Sequence, residues 1–383
     1  LFMDSYETNY KVCIIFPALF NKGGCETLIK YVIRSLYKEI KFYILTSVEH
    51  RNSEYQEFLN YTEEIVNVRP DNQQKLLDEL KRIKPHVVFT GFFHFATAPC
   101  AKLNIPLVEF CVGAKVMPRP QANPLHNYMT VESEGAKKQI LKYRNYPEER
   151  IKVIRNTVFY DGEIASEKDI RTLFDVPEDF YIVSLNARAV HGKGWSVIAE
   201  AMRIMSDEKV IFTGFSRIEK ARTSAWNKIL FYNKTLKNFK VFDGADMERS
   251  YIMGVTACSD IVCMPTTHRE EGIPNCIVEA IYFGKPVITC RNGYIDEIVF
   301  DGENGMFVRP GGGDVAEAIK YLMSNDELRT NYSLRSKEIY NELYDRESFK
   351  NSYRQVFLDA AEEGYFYGNR KKGFLEKFFT RFF

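Results

Sequence analysis

Apolar runs of strand length alternate with stretches of helical spacing along most of the chain. "KVCIIFPAL" reads as a strand, followed by a Gly-Gly turn and then "ETLIKYVIRSLY", whose apolar positions repeat at helical intervals. "KFYILTS", "HVVFTGF" and "PLVEFCVGA" repeat the strand signal in the first half. "YIVSLNAR", "KVIFTGF", "FKVFDGA", "DIVCMPT" and "PVITCRNG" repeat it in the second. Near-continuous apolar strands with helices between them predict parallel sheets covered on both faces. The alternation breaks once, at "DGEIASEKDIRTLFDVPED" from Asp161 to Asp179, and restarts at Tyr181. The expected fold is α/β with two Rossmann-like domains, their parallel sheets facing across a cleft where a ligand binds. The expected divisions are residues 1–160, 161–345, and a C-terminal helix and tail at 346–383.

Composition narrows the class without naming it. A formal net charge of +1 gives no bulk attraction for nucleic acid. The eight cysteines contain no C-x-x-C pair, and several sit in apolar runs. They read as small buried hydrophobes of a reducing compartment, with neither a disulfide framework nor a zinc site. No secretory signal pattern opens the chain and no run of about 18 apolar residues occurs. The expected location is cytoplasmic. The six histidines are scattered and no D-x-D motif is present, so no metal is expected. Neither G-x-G-x-x-G nor a P-loop occurs.

The segment "REEGIPNCIVEAIYFGKPVI" carries two acids, Glu271 and Glu279, eight positions apart. Pro274 suits a helix start, Gly284 a C-terminal cap, and Pro286 a stop. Ile273, Ile277, Ala280 and Ile281 then share one stripe. Glu279 falls about 200° from Ile277, on the face expected to be wet. A solvated helix face is the plain reading. In a cleft, two separated carboxylates would instead accept hydrogen bonds from hydroxyl groups at two points of one ligand.

The stretch "EGIPNCIVEAIYFGKPVITCRNGYIDEIVFDGENGMFVRPG" resembles the signature of retaining glycosyltransferases of family 4, whose core is E-x7-E. "NKGGCETLIKYV", "YMTVESEGAKKQILKY", "IKVIRNTVFYDGE" and "SLNARAVHGKGWSVIAEAM" resemble further segments of that family in the same order. The resemblance implies the GT-B fold, with a nucleotide-sugar donor (UDP- or GDP-type) held mainly by the second domain. By the same resemblance Glu271 stands beside the transferred sugar and Glu279 binds the ribose hydroxyls. Arg188 and Lys193 match the family's diphosphate clamp. Fixed cations there stabilise charge growing on the leaving diphosphate and replace a metal electrostatically. Gly23 and Gly24, before a helix, permit close backbone approach and present a helix N-terminus to anions. Gly272, Ile273, Pro274 and Gly214 complete the implied donor-binding set.

One departure stands out. Where many family members carry a histidine after the strand "PLVEFCVGA", this chain has Phe110 and Cys111. His94 in "GFFHFATA" is the nearest candidate for that role. The expected activity is metal-independent, retaining hexosyl transfer to a hydroxyl acceptor in surface glycan or glycolipid synthesis. The alternatives are a GT-B nucleotide-sugar epimerase and a catalytically idle nucleotide-sugar-binding module. The tail from Arg370, "RKKGFLEKFFTRFF", interleaves cations with aromatics. As an amphipathic helix it would lie on an anionic membrane surface, which would suit a lipid-linked acceptor. Packing of the same stripe on the protein itself is the alternative.

Overall fold

The structure, a computed structural model, describes residues 10–17, 19–20, 23–47, 51, 53–69, 71–91, 94–111, 128–143, 146–217, 224–245, 247–268 and 272–364. The chain forms two compact units. Of the described residues, those up to Ile154 and those from Glu347 onward belong to the first, and Arg155–Arg346 form the second.

The first unit holds strands β1 (Lys11–Ile15), β2 (Lys41–Thr46), β3 (Glu64–Asn67), β4 (Val87–Gly91), β5 (Leu107–Cys111), β6 (Tyr128–Val131) and β7 (Ile151–Val153). Its helices are α1 (Gly24–Leu36), α2 (Ser53–Leu59), α3 (Gln73–Ile83), α4 (Thr97–Leu103) and α5 (Glu134–Tyr143). The strand order is β3-β2-β1-β4-β5-β6-β7, and every pairing is parallel. β1, β4 and β5 are buried along almost their whole length, which is why they read as continuous apolar runs.

The second unit holds β8 (Tyr181–Ser184), β9 (Ala187–Arg188), β10 (Val210–Arg217), β11 (Phe239–Asp243), β12 (Ile261–Met264), β13 (Val287–Thr289) and β14 (Gly305–Phe307). Its helices are α6 (Glu167–Phe174), α7 (Trp195–Ile204), α8 (Ser224–Thr235), α9 (Arg249–Cys258), α10 (Asn275–Tyr282), α11 (Gly312–Met323) and α12 (Asp326–Leu343). The order is β11-β10-β8-β12-β13-β14, with the two-residue β9 beside β10, and again all pairings are parallel. Its core runs from Val183 and Phe212 through Met264, Ile277 and Ile288 to Ile319 and Leu322.

The last helix, α13 (Arg346–Glu363), returns to the first unit. There Tyr353 and Phe357 meet the ring of Phe89 edge-on, with centroids 5.8 and 5.3 Å away. The tail from residue 365 onward, including the basic aromatic stretch, lies outside the described residues. No described helix is long and apolar enough to cross a membrane.

Each sheet reverses its strand order once: between β1 and β4 in the first unit and between β8 and β12 in the second. In open parallel sheets, helices leaving neighbouring strands at such a point go to opposite faces, and the loops at the strand C-terminal ends part to leave a crevice. The loops that follow these four strands are therefore where a ligand is expected.

Candidate functional site

Most of the residues singled out in the sequence lie after those strands, on the loops or on the elements the loops lead into. Gly23 and Gly24 follow β1, and His94 follows β4. Arg188 and Lys193 follow β8; Gly272, Ile273, Pro274 and Glu279 follow β12. Glu271 lies outside the described residues. Of His94 the backbone alone is described; it opens a single 3-10 turn, His94–Ala96, ahead of α4.

In the second unit the turn after β8 is tightly fixed. Arg188 is exposed on β9, opposite Arg217 of β10 in the parallel register. Its carbonyl accepts hydrogen bonds from the Val190 amide at 2.8 Å and from the Trp195 indole at 3.0 Å. Gly192 and Gly194 both take positive φ, +93° and +89°, in a region that L side chains rarely occupy. A Cβ on Gly194 would stand 2.8 Å from the Pro265 carbonyl oxygen and ring. The glycine therefore lets the turn press against the loop after β12. The Gly192 carbonyl accepts from the Thr267 amide at 2.8 Å and the Thr266 hydroxyl at 2.9 Å. Thr266 in turn accepts from the Asn292 side-chain amide at 2.6 Å. The loops after β8, β12 and β13 are thus one hydrogen-bonded assembly, and it carries Lys193 half-buried between the two glycines.

Gly214 in β10 has a structural reason to be glycine. A Cβ there would fall 2.2 Å from the Leu185 carbonyl oxygen, so the two backbones could not approach as they do.

The α10 segment starts and stops where the sequence indicates. Pro274 is the residue ahead of the helix, and its carbonyl accepts from the Ile277 amide at 2.9 Å. Gly284 beyond the helix has φ +66°. Gly272, Ile273 and Pro274 are buried. The expected wet face is absent, however. Glu279 is only 7% exposed, and every residue from Cys276 to Ile281 is buried. Helical periodicity measured from Ile277 assumes one buried stripe. α10 instead packs against β12 and β13 on one side and against α9 and α12 on others. The buried carboxylate is accommodated by an ion pair: Arg249 Nη2, from the first residue of α9, donates to Glu279 Oε1 at 2.8 Å. Sequence reasoning missed Arg249, which lies 30 residues upstream and matches no motif.

The first-unit glycines sit at the start of α1. The Gly23 carbonyl accepts from the Thr27 amide at 3.0 Å and the Thr27 hydroxyl at 2.8 Å. A Cβ on Gly23 would lie 2.3 Å from Glu26 Oε2, so the carboxylate of this chain already folds over the helix N-terminus expected to attract an anion.

None of the eight cysteines forms a disulfide, and six of them are buried. Burial raises the Cys263 thiol on β12, with the nearby Cys290 adding to it. Cys290, after β13, is pushed up to about 11, first by burial and then by Asp314. Thiolate chemistry at this switch point is therefore disfavoured at neutral pH. Among the described residues no group of three or more His, Cys, Asp or Glu is placed to hold a metal ion.

Comparison with known proteins locates the same unit. Residues 166–339 match the family model described as glycosyl transferases group 1. The chain is 25% identical over 207 residues to LpsE of Rhizobium meliloti, a lipopolysaccharide core biosynthesis glycosyltransferase. It is 33% identical over 95 residues to an uncharacterized glycosyltransferase of Methanocaldococcus jannaschii. These matches span 54% and 24% of this chain, and 57% and 27% of the two relatives. Among solved structures, a Rickettsia africae glycosyltransferase superposes with a TM-score of 0.77 at 17% identity, covering 92% of this chain and 99% of that one. Anabaena HepE, solved with UDP and glucose, gives 0.77 at 14% identity, covering 92% of this chain and all of the other. At such identities the likeness shows the fold, which is GT-B: two α/β units, each on a parallel sheet.

Proposed function

We propose that the protein is a retaining glycosyltransferase that moves a hexosyl group from a UDP- or GDP-type donor to a hydroxyl acceptor. The observation that carries this reading is the convergence of sequence motif and topology in the second unit. The motif residues Arg188, Lys193, Gly272, Pro274 and Glu279 lie on the connections that follow β8 and β12, the two strands at the switch point of the sheet, with Glu279 in the helix into which the second connection leads. The group 1 glycosyltransferase match encloses all of them. A nucleotide-sugar donor is further supported by the UDP-bound state of the HepE fold relative.

In this reading Arg188 and Lys193 hold the donor diphosphate, and Glu279 accepts from the ribose hydroxyls. Glu271 stands beside the sugar, and the buried Gly272-Ile273-Pro274 segment leads the backbone into α10 against the donor. Gly214 lets the β10 backbone pass close to the Leu185 carbonyl, just after β8 and ahead of the turn that carries Arg188. As the bond between the anomeric carbon and the diphosphate oxygen breaks, negative charge grows on the diphosphate. Two fixed cations stabilise that charge more than the ground state. The acceptor oxygen bonds to the anomeric carbon on the face the leaving group departs, and its proton passes to the departing phosphate oxygen. That route gives retention and asks for no protein base, in keeping with Phe110 and Cys111 where the family's histidine is common. The arginine and lysine supply the positive charge a metal would bring, so the reaction is metal-independent. Gly23, Gly24 and His94 belong to the acceptor-side unit.

The acceptor is a lipid-linked or surface glycan. The lipopolysaccharide-core relative supports this class. So does the alternation of cations and aromatics in the tail from Arg370, suited to the interface of an anionic membrane on its cytoplasmic face. The deciding experiment is a thermal-shift screen of nucleotide sugars followed by turnover of the hit. At 100 times Kd the stabilisation reaches about 2.7 kcal/mol. Donor-dependent transfer to a hydroxyl acceptor bears the reading out. Binding without any turnover leaves a binding module, and loss of the nucleotide with an inverted hydroxyl on the free sugar indicates an epimerase.

A further inference from the structure

Glu279 and Arg249 approach one another from neighbouring helices whose N-termini share one end of the sheet. α9 runs into β12 and α10 into β13, so both helices begin beside the strand C-terminal ends. Arg249 is the first residue of α9 and Glu279 the fifth of α10. The glutamate is nearly sealed, with buried Val278 and Ala280 on either side in sequence. The arginine side chain remains 41% exposed. The pair therefore runs from the interior of the unit to its ligand-facing surface, and the bond uses one carboxylate oxygen, Oε1.

A buried carboxylate that meets a ligand hydroxyl must be held in one rotamer, because misdirection wastes a charge-assisted hydrogen bond. The α10 backbone fixes where Glu279 starts and the arginine fixes where it ends. A guanidinium is a rigid planar fork, which orients a carboxylate better than the single mobile ammonium of lysine. We infer that Arg249 is a positioning residue for the donor: it pins Oε1 of Glu279 and so aims the carboxylate at the vicinal hydroxyls of the nucleotide ribose. The inference rests on the donor reading given above and adds to it a residue outside every motif of the sequence.

The test titrates the full chain with UDP and with GDP, each beside its 2′,3′-dideoxy analogue, in the wild type, Arg249→Ala, Arg249→Lys and Glu279→Gln. For the nucleotide that binds the wild type, Arg249→Ala should weaken the ribo form about tenfold or more, the scale of one charged hydrogen bond. The dideoxy form should change by less than about threefold, because the hydroxyls served by the pair are missing. Arg249→Lys keeps the charge without the fork and should fall between, whether or not the alanine variant folds well. In the Glu279→Gln background, removing Arg249 should add little, since the arginine acts through the glutamate. Equal weakening of ribo and dideoxy forms, or ribo binding unchanged in both Arg249 variants, overturns the inference and leaves the donor reading intact. Failure of the wild type to bind either nucleotide overturns both.

Discussion

Gly192 and Gly194 bracket Lys193 with nearly the same positive φ, yet their surroundings differ, so alanine at each separates backbone strain from steric conflict. At Gly192 the nearest atom to a new Cβ would be 3.5 Å away, on His268, an ordinary contact. At Gly194 the new Cβ would meet the Pro265 carbonyl oxygen and ring carbons at 2.8 Å. Strain for an L residue in this region is on the order of 1–3 kcal/mol, offset by about 0.4–1 kcal/mol from a less flexible unfolded chain. Gly192→Ala should therefore cost about 1 kcal/mol. Gly194→Ala adds an overpacking cost of about 1–3 kcal/mol, because Pro265 presents backbone and a ring. It should total about 3 kcal/mol. The chain has two tryptophans, Trp195 and Trp226, both buried in the second unit. Tryptophan fluorescence thus follows the unfolding of that unit selectively. For a unit of this size each kcal/mol lowers the midpoint by about 2–4 °C. The expected losses are about 2–4 °C for Gly192→Ala and about 6–12 °C for Gly194→Ala. Equal losses, or a larger one at Gly192, would refute the packing of this turn on Pro265.

Further outcomes are expected as well. Lys193→Ala should lower kcat by roughly 10²–10³-fold, the scale of one preorganised charge stabiliser, and a value within about threefold of wild type removes Lys193 from the diphosphate clamp. Glu279→Ala should raise the donor KM with a smaller effect on kcat, because a ribose contact is made equally before and during reaction; an unchanged KM in steady-state kinetics counts against it. The product should keep the donor's anomeric configuration, read from its anomeric proton couplings, and turnover should persist in EDTA; loss of activity restored by magnesium would refute metal independence. The full chain should float with anionic liposomes while a chain ending at Gly368 should not, and equal behaviour of the two removes the tail as a membrane contact.

The alternation of apolar strands and helical stretches determined both parallel sheets, because a strand covered on two faces must be apolar throughout and a parallel neighbour must be reached through a crossover. It also determined the limits of α10, since Pro274 and Gly284 act through their own backbone geometry. Resemblance to family 4, rather than the alternation, brought Arg188, Lys193 and Glu279 into one list. What the alternation could not decide was the order of strands within each sheet, which depends on which face each crossover takes. That order puts the β8 and β12 loops side by side and ties Gly192 to Thr266 and Thr267. The surroundings of Glu279 were equally out of reach. Periodicity reports one helix face at a time, whereas burial of α10 is set by strands and helices arriving from elsewhere in the chain. Only their packing turns a residue that reads as solvated into a sealed carboxylate, and only packing brings it the guanidinium of Arg249.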